Sequence, residues 1–101
     1  MELRIQAVKT ELDDNLLEVI RIRLMQLENQ LRKIRSKITV KLKEEVKGNL
    51  KERIVEMIVI LSGKKHIIRE SAESFERAFH IAYQSVKRKI TRIKEQLQEK
   101  H

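Results

Sequence analysis

The chain has 101 residues and a formal net charge of +8, because 23 lysines and arginines face 15 acidic residues. This length suits a single domain over residues 1–101, and the absence of cysteine excludes disulfides and thiolate metal sites. The basic excess favours a polyanionic partner, nucleic acid before an anionic membrane surface. No apolar stretch approaches the roughly 20 residues of a membrane span, so we expect a soluble cytoplasmic protein without a membrane partner.

The first two predicted elements are a strand and a helix. Residues 3–8, LRIQAV, alternate apolar and polar side chains as a half-buried strand does. Residues 14–31 have helical periodicity, and Asp13 is suited to cap the first turn. The apolar stripe of this helix consists of Leu16, Ile20, Leu24, Leu27 and Leu31.

Three strands follow, because the hydrophobic period changes to two residues. The segments SKITVKLK at 36–43, RIVEMIVIL at 53–61 and HIIRE at 66–70 have the β-branched content of strands. Gly48 and Gly63 mark two tight turns between them. Two antiparallel hairpins are therefore predicted.

Residues 74–99 predict a second helix, which the hydroxyls of Ser71 and Ser74 are placed to cap. Its apolar stripe consists of Phe75, Phe79, Ala82, Val86, Ile90, Ile93 and Leu97. The element order is then β-α-β-β-β-α, and the first helix is a crossover between parallel strands. We expect an α+β two-layer sandwich, in which both helices cover one face of a four-stranded sheet.

Cations of the last helix cluster outside its apolar stripe, in the segment SVKRKITRIKEQL. At about 100° per residue, Lys87 and Lys94 flank one side of the stripe and Lys89 and Arg92 the other, while Arg88 points outward. A solvated basic face is the simpler interpretation of this segment alone. The helix nevertheless presents cations around most of its exposed circumference, which favours a surface for phosphates.

The middle of the chain is also basic, with only three acidic residues among its cations. We assign two of these cations, Lys37 and Lys41, to RNA contact. The cations of this middle part are Arg32, Lys33, Arg35, Lys37, Lys41, Lys43, Lys47, Lys51 and Arg53. Phosphate contact would dominate the affinity. Because the chain has only three aromatic residues, recognition of folded RNA by shape and backbone is favoured over base stacking.

Catalytic and metal chemistry find little support in the sequence. The three histidines lack a ligand spacing such as i, i+4, and no Gly-rich phosphate loop occurs. The stretch LDDNLLEVIRIRL is locally similar to the first helix of chorismate mutase, an all-helical enzyme. That interpretation requires residues 37–61 to be helical, and their two-residue alternation opposes it. We therefore expect no enzyme, no metal and no cofactor.

In the order and spacing of its elements, the chain resembles the ribosome hibernation promoting factor family. The segments that carry the resemblance are LDDNLLEVIRIRLMQLENQL, LSG, AESFERAFHIAYQSV and KRKITRIKEQL. It implies a fold similar to a double-stranded RNA-binding domain and a place in the mRNA and tRNA channel of the small ribosomal subunit. It further implies binding to 16S rRNA, inhibition of translation under stress or in stationary phase, and a short form of the family.

The resemblance also assigns RNA contact to individual positions. These are Arg23 on the first helix and Arg88, Arg92 and Lys94 on the last. Lys87 and Lys89 add charge beyond the family's pattern. Ser85 stands where the family usually has a basic residue, and Ile22 and Gln26 replace cations on the first helix.

Two alternatives stay open at the level of sequence. One is a general double-stranded RNA-binding module without specificity for ribosomes. The other concerns Ile54, Ile58 and Ile60, which occupy the strand face that the helices leave uncovered. These isoleucines are either scattered surface residues or a contact with a ribosomal surface or with a second copy in a weak homodimer.

Overall fold

The structure is a computed structural model that describes residues 1–99, with side chains described as far as Gln96. Its elements are β1 (Glu2–Val8), α1 (Asp14–Gln30), β2 (Ser36–Lys47), β3 (Leu50–Leu61), β4 (Lys64–Ala72) and α2 (Phe75–Glu99). This order confirms the predicted β-α-β-β-β-α arrangement. The all-helical alternative is wrong. It requires residues 37–61 to be helical, and β2 and β3 lie there.

The strands form one mixed sheet in the order β1-β2-β3-β4. β1 is parallel to β2, and the other two pairs are antiparallel. Both hairpins have two-residue turns, in which Gly48, Ser62 and Gly63 have φ of 62°, 50° and 81°. Positive φ values are what tight hairpin turns require, so the two predicted turns are confirmed.

Side chains from one sheet face and from both helices form a single hydrophobic cluster. The sheet contributes Ile38, Val40, Leu42, Val55, Met57, Val59 and Leu61 to it, all of them buried. Ile20, Leu24 and Leu27 come from α1, and α2 adds its predicted stripe together with Ala78 and Tyr83. The last predicted stripe residue, Leu97, has a side chain outside the described part. Within residues 1–99, neither helix combines the length and apolar character that a membrane crossing needs.

Side-chain caps begin both helices, with one correction to the sequence-based expectation. Asp13 Oδ1 accepts a hydrogen bond from the Leu16 amide at 2.7 Å, and Ser74 Oγ accepts one from the Arg77 amide at 3.1 Å. The prediction that Ser71 is a cap is wrong. Ser71 lies within β4 because the β3–β4 ladder runs one residue further, to Ala72.

The β2–β3 hairpin is longer than predicted and projects beyond the rest of the sheet. The β1 ladder ends at Lys43 and the β4 ladder at Arg53, so residues 44–52, the hairpin tip, have no other strand beside them. At its base, Arg53 donates a 2.9 Å hydrogen bond to the Glu73 carbonyl and lies 3.4 Å from Glu44. These contacts tie the hairpin to the start of α2.

We predict that Leu24→Ala lowers the free energy of unfolding by about 2–5 kcal/mol, because the Leu24 side chain is fully buried and its loss leaves a cavity. Ile22→Ala on the same helix is the matched control, since Ile22 is 49% exposed. Its effect should stay within about 0.5 kcal/mol. Urea unfolding followed by circular dichroism measures both. Equal losses in the two variants would contradict the packing of α1 on the sheet.

Candidate nucleic-acid interface

The outer surface of α2 is basic over most of its length. No acidic residue occurs between Arg77 and Lys94, a stretch of five helical turns. Arg88 and Arg92 are exposed and lie one turn apart, so their guanidinium groups share one side of the helix. Among the described side chains, no carboxylate lies within 4.0 Å of either guanidinium group.

Ser85 and Thr91 make hydrogen bonds within this basic surface. Ser85 Oγ accepts a hydrogen bond from Arg88 at 3.2 Å, and Thr91 donates one to the Lys87 carbonyl at 3.0 Å. Ser85 is the position where the family resemblance led us to expect a cation. In this chain the Ser85 hydroxyl instead accepts a hydrogen bond from the guanidinium of Arg88, one turn further along the helix.

Tyr83 joins the two helices and brings their cations together. Its ring is 2% exposed and lies in the seam between α1 and α2. Arg23 of α1 lies 5.8 Å from the ring centroid and Lys87 of α2 lies 5.7 Å from it, both within cation–π range. The Tyr83 hydroxyl is 3.5 Å from Gln26 Oε1 across the seam. The ring therefore sets the spacing between a cation of each helix.

The environment of Tyr83 changes its acidity. Burial raises the pKa of the Tyr83 hydroxyl, because the phenolate would lose its solvation, and the nearby Arg23 guanidinium opposes this shift only in part. The phenol of Tyr83 therefore stays neutral well into the alkaline range. Because no phenolate forms, the ring offers no negative charge to the two cations that lie over it.

Beside Tyr83, the seam opens into a groove of about 280 Å³. Its lining consists of Val19, Arg23, Ser74, Glu76, Arg77, Phe79, His80 and Tyr83. Arg77 lies 3.8 Å from Glu73, and a second groove beyond it reaches Asp13 and Asn15 at the start of α1. Because both helices begin at this end, the acidic residues lie there and the cations lie further along the seam.

Sequence reasoning missed Tyr83, Arg77 and His80 as neighbours of the basic surface. Tyr83 follows Phe79 at helical spacing, which is the signal that could have placed it in the apolar stripe. Its contact with Arg23 depends on how the helices pack, and one sequence does not show that packing.

Two more predicted contact residues lie on opposite flanks of α2. Lys94 is two turns beyond Lys87 and so lies on the same side of the helix. Lys89 is on the β4 side, where it lines a small gap with His66, Val86 and others. Burial lowers the pKa of His66, and the charges of Lys89 and Lys64 lower it further. Lys89 is therefore separated from the seam by the body of the helix.

Lys37 and Lys41 lie on the other side of the molecule. Ile38, Val40 and Leu42 of β2 point toward the helices, so the alternate residues of the strand face away from them. The eight predicted contact residues therefore occupy two surfaces. Arg23, Lys87, Arg88, Lys89, Arg92 and Lys94 lie on the helical layer, and the other two lie on the open face of the sheet.

Comparisons with known proteins agree with this architecture. A family model described as sigma 54 modulation protein / S30EA ribosomal protein matches residues 3–98. The N-terminal domain of Thermus thermophilus Protein Y has a TM-score of 0.74 at 17% sequence identity, over 92% of this chain and 99% of that one. A ribosomal subunit interface protein from Coxiella burnetii has a TM-score of 0.77 at 13% identity, over 94% and 99%. A comparison with curated protein sequences gives no significant match.

At these identities the two solved structures show a shared fold. They cover nearly the whole chain and include both helices, so the helical layer and the open sheet face are features of the matched fold. The family match extends almost as far along the sequence.

We predict that the phenol of Tyr83 titrates above its usual pKa of about 10 in the folded chain. Tyr83 is the only tyrosine and tryptophan is absent, so the ultraviolet absorbance of phenolate reports this residue alone. In urea the midpoint should fall back to about 10. Because the folded pKa is raised, the stability that Tyr83 contributes is complete below about pH 10 and is lost as the pH rises through the folded value.

The control for this titration is Tyr83→Phe, which should remove the absorbance change and this alkaline loss of stability together. A folded midpoint at or below the urea value would contradict the burial of Tyr83 in the seam.

Proposed function

The chain belongs to the sigma 54 modulation protein / S30EA ribosomal protein family, whose members are ribosome-associated and not enzymes, and on that premise we propose that it is a hibernation factor. It acts in the cytoplasm, in stationary phase or under stress. Its helical layer binds 16S rRNA in the mRNA and tRNA channel of the small subunit, and the bound protein blocks translation there.

The observation that carries this proposal is a set of cations without carboxylate partners. We name Arg23, Lys87, Arg88, Arg92 and Lys94 the helix-face cluster. None of them has a carboxylate within 4.0 Å among the described side chains. Cations without a carboxylate partner can neutralise RNA phosphates, and this releases the counterions condensed on the RNA. Lys89, on the β4 side of α2, adds to the positive electrostatic potential of the helical layer.

The core leaves no aromatic platform for unpaired bases. Phe79 and Tyr83 are buried, and Phe75 is packed against the core. Base stacking in single-strand recognition needs exposed rings, so this surface is suited to the backbone of folded RNA. Ribosomal RNA offers such backbones in fixed positions, which supports a ribosomal site over a single-stranded one.

We expect Arg88→Glu combined with Arg92→Glu to abolish co-sedimentation with small subunits at moderate salt, because repulsion replaces two phosphate contacts. Both side chains are exposed, so thermal stability should change little. Lys47→Glu with Lys51→Glu in the hairpin tip is the matched control, since it makes the same change in net charge on exposed residues.

Normal sedimentation of the Arg88/Arg92 variant would contradict the proposed site. Competition separates the ribosomal role from that of a general double-stranded RNA-binding module. A hibernation factor in the channel should be displaced by initiator tRNA bound to the small subunit, whereas a general module should be indifferent to it.

We also expect a steep salt dependence. If about six phosphates are neutralised, the affinity for small subunits should fall roughly 1000-fold between about 50 and 200 mM salt. Lys94→Gln should make the slope of log affinity against log salt shallower by about one unit. Filter binding over a salt series measures both. A nearly flat dependence would mean that an apolar surface, not the helix-face cluster, makes the main contact.

A further inference from the structure

The open face of the sheet, opposite the helices, is itself rich in cations. Those within the four-stranded region are Arg4, Lys37, Lys41, Lys43, Lys65 and Arg69. Four carboxylates lie on the same face, on Glu2, Glu45, Glu52 and Glu56. The face therefore has a net positive charge that the core of the fold does not require.

A network of ion pairs covers one apolar residue of this face, Ile54. Lys43 lies 2.9 Å from Glu45, and Arg69 lies 3.8 Å from Glu45 and 4.0 Å from Glu56. Glu45 is on β2 and Arg69 on β4, so their ion pair spans β3 at the position of Ile54. Ile54 is only 2% exposed for this reason. The chain thus shields Ile54, while Ile67 on the same face is 55% exposed. A second copy would bring the same positive face against this one, and the repulsion between them argues against a second copy as the occupant.

Outside this network, three cations of the face have no carboxylate within 4.0 Å among the described side chains: Arg4, Lys41 and Lys65. Lys37 and Lys65 flank Ile60 on the two neighbouring strands, about 10 Å apart. Lys37 and Lys41 are about 13 Å apart along β2. The patch is therefore an array of cations on three strands.

We propose that this open face is a second phosphate-contacting surface, and that bound RNA contacts the chain on both sides at once. The inference rests on the proposed function, since it adds a second rRNA contact to the one made by the helix-face cluster. It explains why Lys41 and Lys65 carry charge without a carboxylate partner on the side of the molecule away from the helices, where Lys37 is paired with Glu2 at 3.6 Å.

The dimensions of the molecule allow both contacts together. Its smallest extent is 19 Å, measured between Cα atoms, and the charged side chains reach beyond that on each side. The Debye length at physiological salt is about 8 Å. RNA segments on the two faces are therefore screened from each other, and each set of cations attracts its own phosphates.

The test uses Lys41→Gln with Lys65→Gln, and Lys47→Gln with Lys51→Gln in the hairpin tip as the matched control. The open-face variant should bind small subunits about tenfold or more weakly at moderate salt, with a salt slope shallower by about two units. The control should differ from the original chain by less than about twofold. An open-face variant with unchanged affinity and slope would overturn the inference.

Combination with Arg92→Gln tests whether the two faces act together. If both faces contact RNA at once, the fold-losses of the open-face variant and Arg92→Gln should multiply in the combined variant. If either face alone sufficed, each single variant would keep nearly full affinity, and the inference would be overturned.

Two further outcomes have distinct meanings. If Arg88→Glu with Arg92→Glu leaves binding intact while the open-face variant weakens it, the helix-face proposal fails and the open-face contact stands. Sedimentation equilibrium of the free chain tests whether a second copy of the chain occupies the open face instead of RNA. A dimer that Lys41→Gln with Lys65→Gln dissociates would assign the face to a second copy and overturn the RNA contact.

Discussion

Two helices pack side by side on one face of the sheet, and the seam between them contains the buried ring of Tyr83. Each helix gives one stripe of side chains to the core, so the remaining circumference is free of packing constraints. On α2 this free surface carries cations from Lys87 to Lys94. Arg23 joins them because α1 lies close enough to place its guanidinium over the same ring. The position of the candidate interface thus follows from how the core is packed.

The sequence predicted most of the fold, because hydrophobic period and turn residues are local signals. The alternation in β2 and the glycine at 48 were sufficient for the first hairpin. The extension of the hairpin through residues 44–52 was not predictable from the same signals. Glu44 and Glu45 are poor strand formers, and they continue the ladder because the two-residue turn fixes the register and Arg53 lies opposite Glu44.

The candidate site was predicted less completely, since it depends on packing between distant segments. Charge counting grouped Lys37 and Lys41 with the cations of α2, although the period of β2 already places them on the uncovered face. The contact of Arg23 with Tyr83 connects residues 60 positions apart, and no local pattern reveals it. The covering of Ile54 by an ion pair across β3 likewise required the register of three strands.

Lysine footprinting of the chain bound to small subunits tests whether the helical layer meets rRNA. Each lysine is modified in the free and bound states, and mass spectrometry compares the extent of modification residue by residue. We expect strong protection of Lys87 and Lys94 on binding, with Lys47 and Lys51 of the hairpin tip as reactive as in the free chain. Protection confined to the hairpin tip, with Lys87 and Lys94 still reactive, would contradict it.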